Sequence, residues 1–127
     1  MDRIDRVSIV GMGAMGILYG DFFANALGRE QVTFLADSDR ARRYRNTPVY
    51  CNGRKMDFRI QDGAVPDSQG PAQLLLFAVK ATALGDAISV AGNQVGKDTV
   101  ILSVLNGITS EAVIGEALGM DHVLYCV

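Results

Sequence analysis

A chain of 127 residues with 49% apolar side chains is long enough to bury one domain-sized core. Its formal charge of −2 gives no general electrostatic reason to bind nucleic acid. No apolar run approaches the ~20 residues that cross a bilayer, so neither nucleic acid nor a membrane is expected as a partner.

The amino terminus, Met1-Asp2-Arg3-Ile4-Asp5-Arg6, lacks an apolar signal core, which leads to the expectation of a cytoplasmic protein. Val7-Ser8-Ile9-Val10 then reads as a strand that runs into Gly11-Met12-Gly13-Ala14-Met15-Gly16. An apolar strand, a G-x-G-x-x-G loop and an amphipathic helix, in that order, form the fingerprint of a dinucleotide pyrophosphate site. Gly11 turns the strand. Gly13 leaves the backbone bare for a pyrophosphate. Gly16 allows the helix to approach the sheet closely. The helix start offers free N–H groups and its positive dipole end to the phosphates.

Met15, Leu18, Tyr19, Phe22, Phe23 and Ala26 recur at helical spacing, and the pattern predicts one buried face. Gly28 is the expected left-handed cap. Gln31 to Ala36 reads as a second strand. Asp37 follows about twenty residues after the glycine loop, the place of a ribose-reading carboxylate. Arg40, Arg42, Arg43 and Arg45 come directly after it, and an arginine here can hold a 2′-phosphate instead. The same residues also have a purely structural use: Asp37 or Ser38 caps a short helix whose arginines are solvated.

Asn52-Gly53 lies between alternating segments, with Val49 and Cys51 before it and Met56, Phe58 and Ile60 after it. Residues 49–62 therefore read as a short hairpin inserted beside the sheet. Leu74 to Val79 is an unbroken apolar run, as for a strand buried on both faces, and Lys80 ends it. Leu84, Ala87, Ile88, Ala91 and Val95 step helically. Thr99 to Leu105 is another buried strand, ended by Asn106-Gly107. Thr109 or Ser110 is placed to cap the next helix, with Glu111 at its positive end. His122 precedes a last strand and reads as structural or surface. Cys51 and Cys126 make no metal or redox motif and read as free thiols, so no metal is expected.

Alternating strands and helices imply an α/β fold, a Rossmann-like doubly wound parallel sheet. In the strand order 3-2-1-4-5-6, the first strand neighbours the one ending at Lys80, and the next one out ends at Asn106. Adjacent strands lie ~4.8 Å apart, so the glycine loop, Lys80 and Asn106 fall within ~10 Å across three carboxyl ends. Ligands of open α/β sheets bind in that crevice. Each of the two polar residues keeps a plain alternative: Lys80 marks where a strand reaches water, and Asn106-Gly107 is a tight turn.

The Gly11–Gly16 loop, the Phe77-Ala78-Val79-Lys80 strand end and the Leu105-Asn106-Gly107-Ile108 turn resemble the amino-terminal NADP-binding domain of the ketopantoate reductase (2-dehydropantoate 2-reductase) family. The resemblance covers essentially the whole chain. It implies reduction of ketopantoate to pantoate with NADPH, in the route to pantothenate and coenzyme A. It implies that Gly11, Met12, Gly13, Ala14, Met15 and Gly16 hold the pyrophosphate. Lys80 would reach the nicotinamide ribose and the neighbouring 2-keto acid. Asn106 would sit near the nicotinamide and help fix that substrate.

Two departures from the family pattern stand out. Where family members carry an arginine for the 2′-phosphate, this chain reads Leu35-Ala36-Asp37, and the nearest basic residue is Arg40. Asp37 repels a 2′-phosphate unless Arg40 or its neighbours outweigh it, so NADP is the implied cofactor with NAD left open. The family's general-acid lysine belongs to a helical carboxy-terminal substrate domain that residues 1–127 do not include. No catalytic residue is expected in this chain, which should bind nucleotide and be inactive alone. A homo-oligomer stays open. Two other readings remain: a nucleotide-sensing module like those attached to potassium transporters, and the cofactor domain of a related 2-keto or 2-hydroxy acid dehydrogenase.

Overall fold

The chain runs β1 (Val7–Val10), α1 (Ala14–Leu27), β2 (Val32–Ala36), α2 (Ser38–Asn46), β3 (Val49–Cys51), β4 (Arg54–Met56), β5 (Arg59–Asp62), β6 (Leu74–Phe77), α3 (Leu84–Ala91), β7 (Val100–Ser103), α4 (Ile108–Leu118) and β8 (Val123–Leu124). This computed structural model describes residues 4–47, 49–51, 53–56, 58–104 and 108–124. Six strands form one sheet in the order β5-β2-β1-β6-β7-β8, and every pairing in it is parallel. The order reverses between β2 and β6, on either side of β1, which is the switch point of a doubly wound sheet. No described helix is long and apolar enough to cross a membrane.

Strand alternation sorts the core into two layers. Val10, Leu35, Leu75, Phe77 and Ile101 face Leu84, Ala87 and Ala91 of α3 and Ile114 of α4. Val7, Ile9, Val32, Phe34, Leu74 and Leu76 face the other way, toward Tyr19, Phe23, Ala24 and Leu27 of α1. The unbroken apolar run of β6 is thus explained: alternate leucines enter opposite layers.

Three sequence expectations change. The hairpin is confined to β3 and β4, which pair antiparallel. Residues 59–62 leave it and become the edge strand β5, parallel to β2 from Thr33–Arg59 to Ala36–Asp62. Pairing with β2 decides this. Arg59 donates to the Thr33 hydroxyl at 2.9 Å and clamps Asp67 at 2.6 and 2.9 Å. The predicted face of α1 also splits. Tyr19 and Phe23 pack on the core, while Met15, Leu18 and Phe22 are exposed, because the sheet covers only a narrow stripe of the helix. Finally, Thr109 and Ser110 lie within α4, which has already begun at Ile108, so neither precedes the helix as a cap.

A polar chain crosses the α3-side layer near the amino ends of the strands. The Ser8 hydroxyl donates to Gln94 Oε1 at 3.0 Å, and Gln94 Nε2 donates to Asp67 Oδ2 at 2.8 Å. The Arg59 guanidinium holds the Asp67 carboxyl far below the usual carboxylate range, outweighing the cost of its burial. His122 is tied down by its Nδ1, 2.7 Å from the Thr99 carbonyl oxygen, which fits its structural reading.

Candidate functional site

At the carboxyl end of β1 the backbone turns at Gly11 with φ +111°, a region L side chains rarely adopt. Space forbids a side chain there as well. A Cβ on Gly11 would stand 2.2 Å from the Ala78 carbonyl oxygen. Gly16 is equally confined, since its Cβ would meet the Gly11 carbonyl oxygen at 1.8 Å. The close approach at Gly16 is therefore between helix and loop. The helix-to-sheet approach falls one turn later, at Gly20, where a Cβ would crowd the Phe34 ring at 2.9 Å.

Gly13 is different. Nothing lies within 4 Å of the place its Cβ would occupy. It is the N-cap of α1, no side chain caps the helix, and its carbonyl accepts the first helical bond from the Ile17 N–H at 3.0 Å. The first turn holds no acidic residue. A bare helix start above open space is an anion-receiving geometry: N–H groups without helical partners and the positive dipole end point the same way. Met12 packs against the α1-side core, whereas Ala14 and Met15 are exposed in the first turn.

The neighbouring strand ends stand beside this loop. The Ala78 N–H donates to the Val10 carbonyl at 2.9 Å, and the Val104 N–H donates to Phe77 at 2.9 Å. The ends of β1, β6 and β7 are thus side by side. Lys80 is exposed two residues beyond Ala78, in a turn where its carbonyl accepts the Ala83 N–H at 2.9 Å. Asn106 lies outside the described residues.

On the other side of the loop, a cleft runs between Gly11, Asp37 and Arg40, with Tyr44 of α2 and Val79, Asp86 and Val90 closing it. Asp37 is the N-cap of α2, and its Oδ1 accepts the Arg40 N–H at 2.8 Å. Its Oδ2 is 3.8 Å from Arg40 Nε, with both side chains about half exposed. An open depression of about 630 Å³ beyond it is lined by Asp37, Asp39, Arg40, Arg42 and Arg43, with Asn46 and Thr47. Beside it, Ser38 donates to Asp62 Oδ2 at 2.6 Å, and the Ala64 N–H reaches Asp62 Oδ1 at 2.9 Å. These bonds hold the Asp62 carboxyl below its ordinary value.

Several of these residues escape the sequence reading. Ala78 has no distinguishing side chain, and the sequence, which shows it only as part of the Phe77–Lys80 strand end, gives no sign that its carbonyl fills the space beside Gly11. Asp86 sits within a helix whose apolar spacing reads as core alone. Asp62 reads as a hairpin end until β5 is seen beside β2. Among the described residues no three His, Cys, Asp or Glu side chains gather as a metal site.

A family model described as ketopantoate reductase PanE/ApbA matches residues 7–127. The chain belongs to the PanE/ApbA ketopantoate reductase family. It is therefore a member of an oxidoreductase family with the sheet just described. Among solved structures, the 2-dehydropantoate 2-reductase of Geobacter metallireducens GS-15 aligns at TM-score 0.69 and 25% identity, over 93% of this chain and 39% of its own. D-mandelate dehydrogenase with NADH and anilino(oxo)acetate aligns at TM-score 0.74 and 21% identity, over 93% of this chain and 39% of its own. A dimeric ketopantoate reductase from Staphylococcus aureus aligns at TM-score 0.65 and 18% identity, over 94% and 43%. The last two share the fold with this chain. The PanE/ApbA domain seen here spans only 39–43% of the length of these three proteins.

Proposed function

We propose that this chain holds the nicotinamide dinucleotide of a 2-keto acid reductase, with ketopantoate as the substrate and pantoate as the product. One observation carries the reading: the uncapped start of α1 over the bare space at Gly13, set between two strand ends. A pyrophosphate fits there, because a Cβ would fill the space it needs and the N–H groups of the first turn lack helical partners.

In this reading Gly11 to Gly16 hold the pyrophosphate, the cleft at Asp37 takes the adenosine half, and Lys80 and Asn106 border the nicotinamide and the substrate. A bound reduced nicotinamide supplies the hydride. Lys80 brings a mobile positive charge to the end of β6, suited to a substrate carboxylate or a developing alkoxide. The matched reductases are more than twice this length, and proton delivery is assigned to a part of the protein beyond this domain. The proposed compartment is the cytoplasm.

Calorimetry on the 127-residue chain tests the reading. At least one of NADH and NADPH should bind, and free ADP-ribose should compete. A folded chain that takes up neither cofactor overturns it. Mixed with ketopantoate and reduced cofactor, the chain alone should leave the nicotinamide absorbance steady, and a rapid fall would refute the assignment of the proton donor elsewhere.

A further inference from the structure

The start of α2 has the form of a phosphate site in which one backbone donor and the hydroxyl are already used. A helix amino terminus attracts anions through its free N–H groups and dipole. Here the anion is built in. Asp37 Oδ1 accepts the Arg40 N–H at 2.8 Å, and Asp39 adds a second carboxylate in the first turn. Ser38 carries the one hydroxyl at this helix start, and it donates to Asp62 at 2.6 Å. Arg40, the nearest cation, has its Nε 3.8 Å from Asp37 Oδ2. Across the cleft, Asp86 adds another carboxylate.

We propose that the chain selects NADH over NADPH, and that Asp37 is the residue that decides. The inference rests on the dinucleotide reading above and adds the identity of the cofactor. With a pyrophosphate at Gly13, the adenine ribose lies toward the end of β2, where Asp37 stands. Asp37 Oδ2 stands 3.8 Å from Arg40 Nε, beyond hydrogen-bond distance, and can accept a ribose hydroxyl in a charge-assisted hydrogen bond. A 2′-phosphate in the same place would carry a charge of about −1.5 to −2 directly against the Asp37 carboxylate, with Arg40, Arg42 and Arg43 set farther along the depression. Two unit charges ~4 Å apart in water interact by an amount equal to about a fivefold change in affinity, and more at a partly buried site. A doubly charged phosphate near Asp37 therefore gives a discrimination of tenfold or more.

The test compares NADH and NADPH by calorimetry on the native chain and on Asp37→Ser, with Asp37→Asn as a second variant. Serine and asparagine cap helices about as well as aspartate, so α2 keeps its start while the charge is removed. The expected result is NADH binding about tenfold or more tighter than NADPH. Both variants should weaken NADH and bring the two cofactors within about threefold, with unfolding midpoints unchanged. Equal or tighter binding of NADPH by the native chain overturns the inference and assigns the 2′-phosphate to Arg40, Arg42 and Arg43. A preference for NADH that persists in both variants removes Asp37 as its cause. Failure of the folded native chain to bind either cofactor defeats the dinucleotide reading itself.

Discussion

Gly11 and Ala78 share a space that admits no side chain: a Cβ on Gly11 would lie 2.2 Å from the Ala78 carbonyl oxygen and 2.8 Å from its carbon. The glycine loop is thereby seated on the end of β6. Gly11→Ala meets both this clash and the φ of +111°. Strain of ~1–3 kcal/mol and overpacking of similar size predict a loss of about 2–5 kcal/mol. Urea unfolding measures it, and a midpoint like that of the native chain would show that the loop can leave β6 freely.

Gly13→Ala should behave in the opposite way. Its Cβ enters open space, so the fold loses only the ~1 kcal/mol that separates glycine from alanine at an N-cap. Dinucleotide affinity should fall by tenfold or more, because the methyl takes the room of the pyrophosphate. Calorimetry beside an unfolding curve separates the two effects. Unchanged affinity would move the phosphates away from Gly13.

Lys80→Gln should leave stability within about 0.5 kcal/mol, as for an exposed position away from the core. If the proposed role holds, in the complete protein it should lower kcat/KM for the keto acid by tenfold or more, since that role gives Lys80 the charge facing the substrate. Unchanged kinetics would leave Lys80 as a solvated strand end.

Asp67→Asn should destabilise the fold at neutral pH by about 2–4 kcal/mol. This is the low end for breaking a buried ion pair, because the Arg59 side chain is 25% exposed while that of Asp67 is 3% exposed. The folded-state pKa of Asp67 lies well below that of the unfolded chain, near ~3.9. The pair's contribution is therefore complete above that value and is lost as pH falls toward the folded pKa. The gap between native and variant midpoints should narrow steadily below pH ~4. A gap that does not change with pH would assign the loss to packing alone.

The apolar runs of β1, β2, β6 and β7 made the sheet order legible, because strands buried on both faces need no partner to be recognised. The same pattern could not place β5. Arg59 and Gln61 alternate with Ile60, which suits an edge strand and a hairpin arm equally. The choice rests on Thr33 of β2, which is distant in sequence, with Asp67 holding the same guanidinium from the following loop. Periodicity found α1 but not its orientation: Met15 and Phe22 repeat as well as Tyr19 and Phe23, and only the width of the sheet separates them. At the candidate site, the glycine spacing and Asp37 were visible because local backbone geometry demands them. The bond between Ser38 and Asp62 was not, since it depends on where β5 lies.

The contact between Gly11 and Ala78 also fixes a distance. Glycine loop and Lys80 turn hang from adjacent strands, and the ladder of backbone bonds sets their separation. The sheet acts as a ruler, with a graduation of ~4.8 Å per strand. A ligand gripped at both marks is graded by its length. In the proposed binding mode this spacing sets how far the ribose at Lys80 stands from the phosphate at the loop.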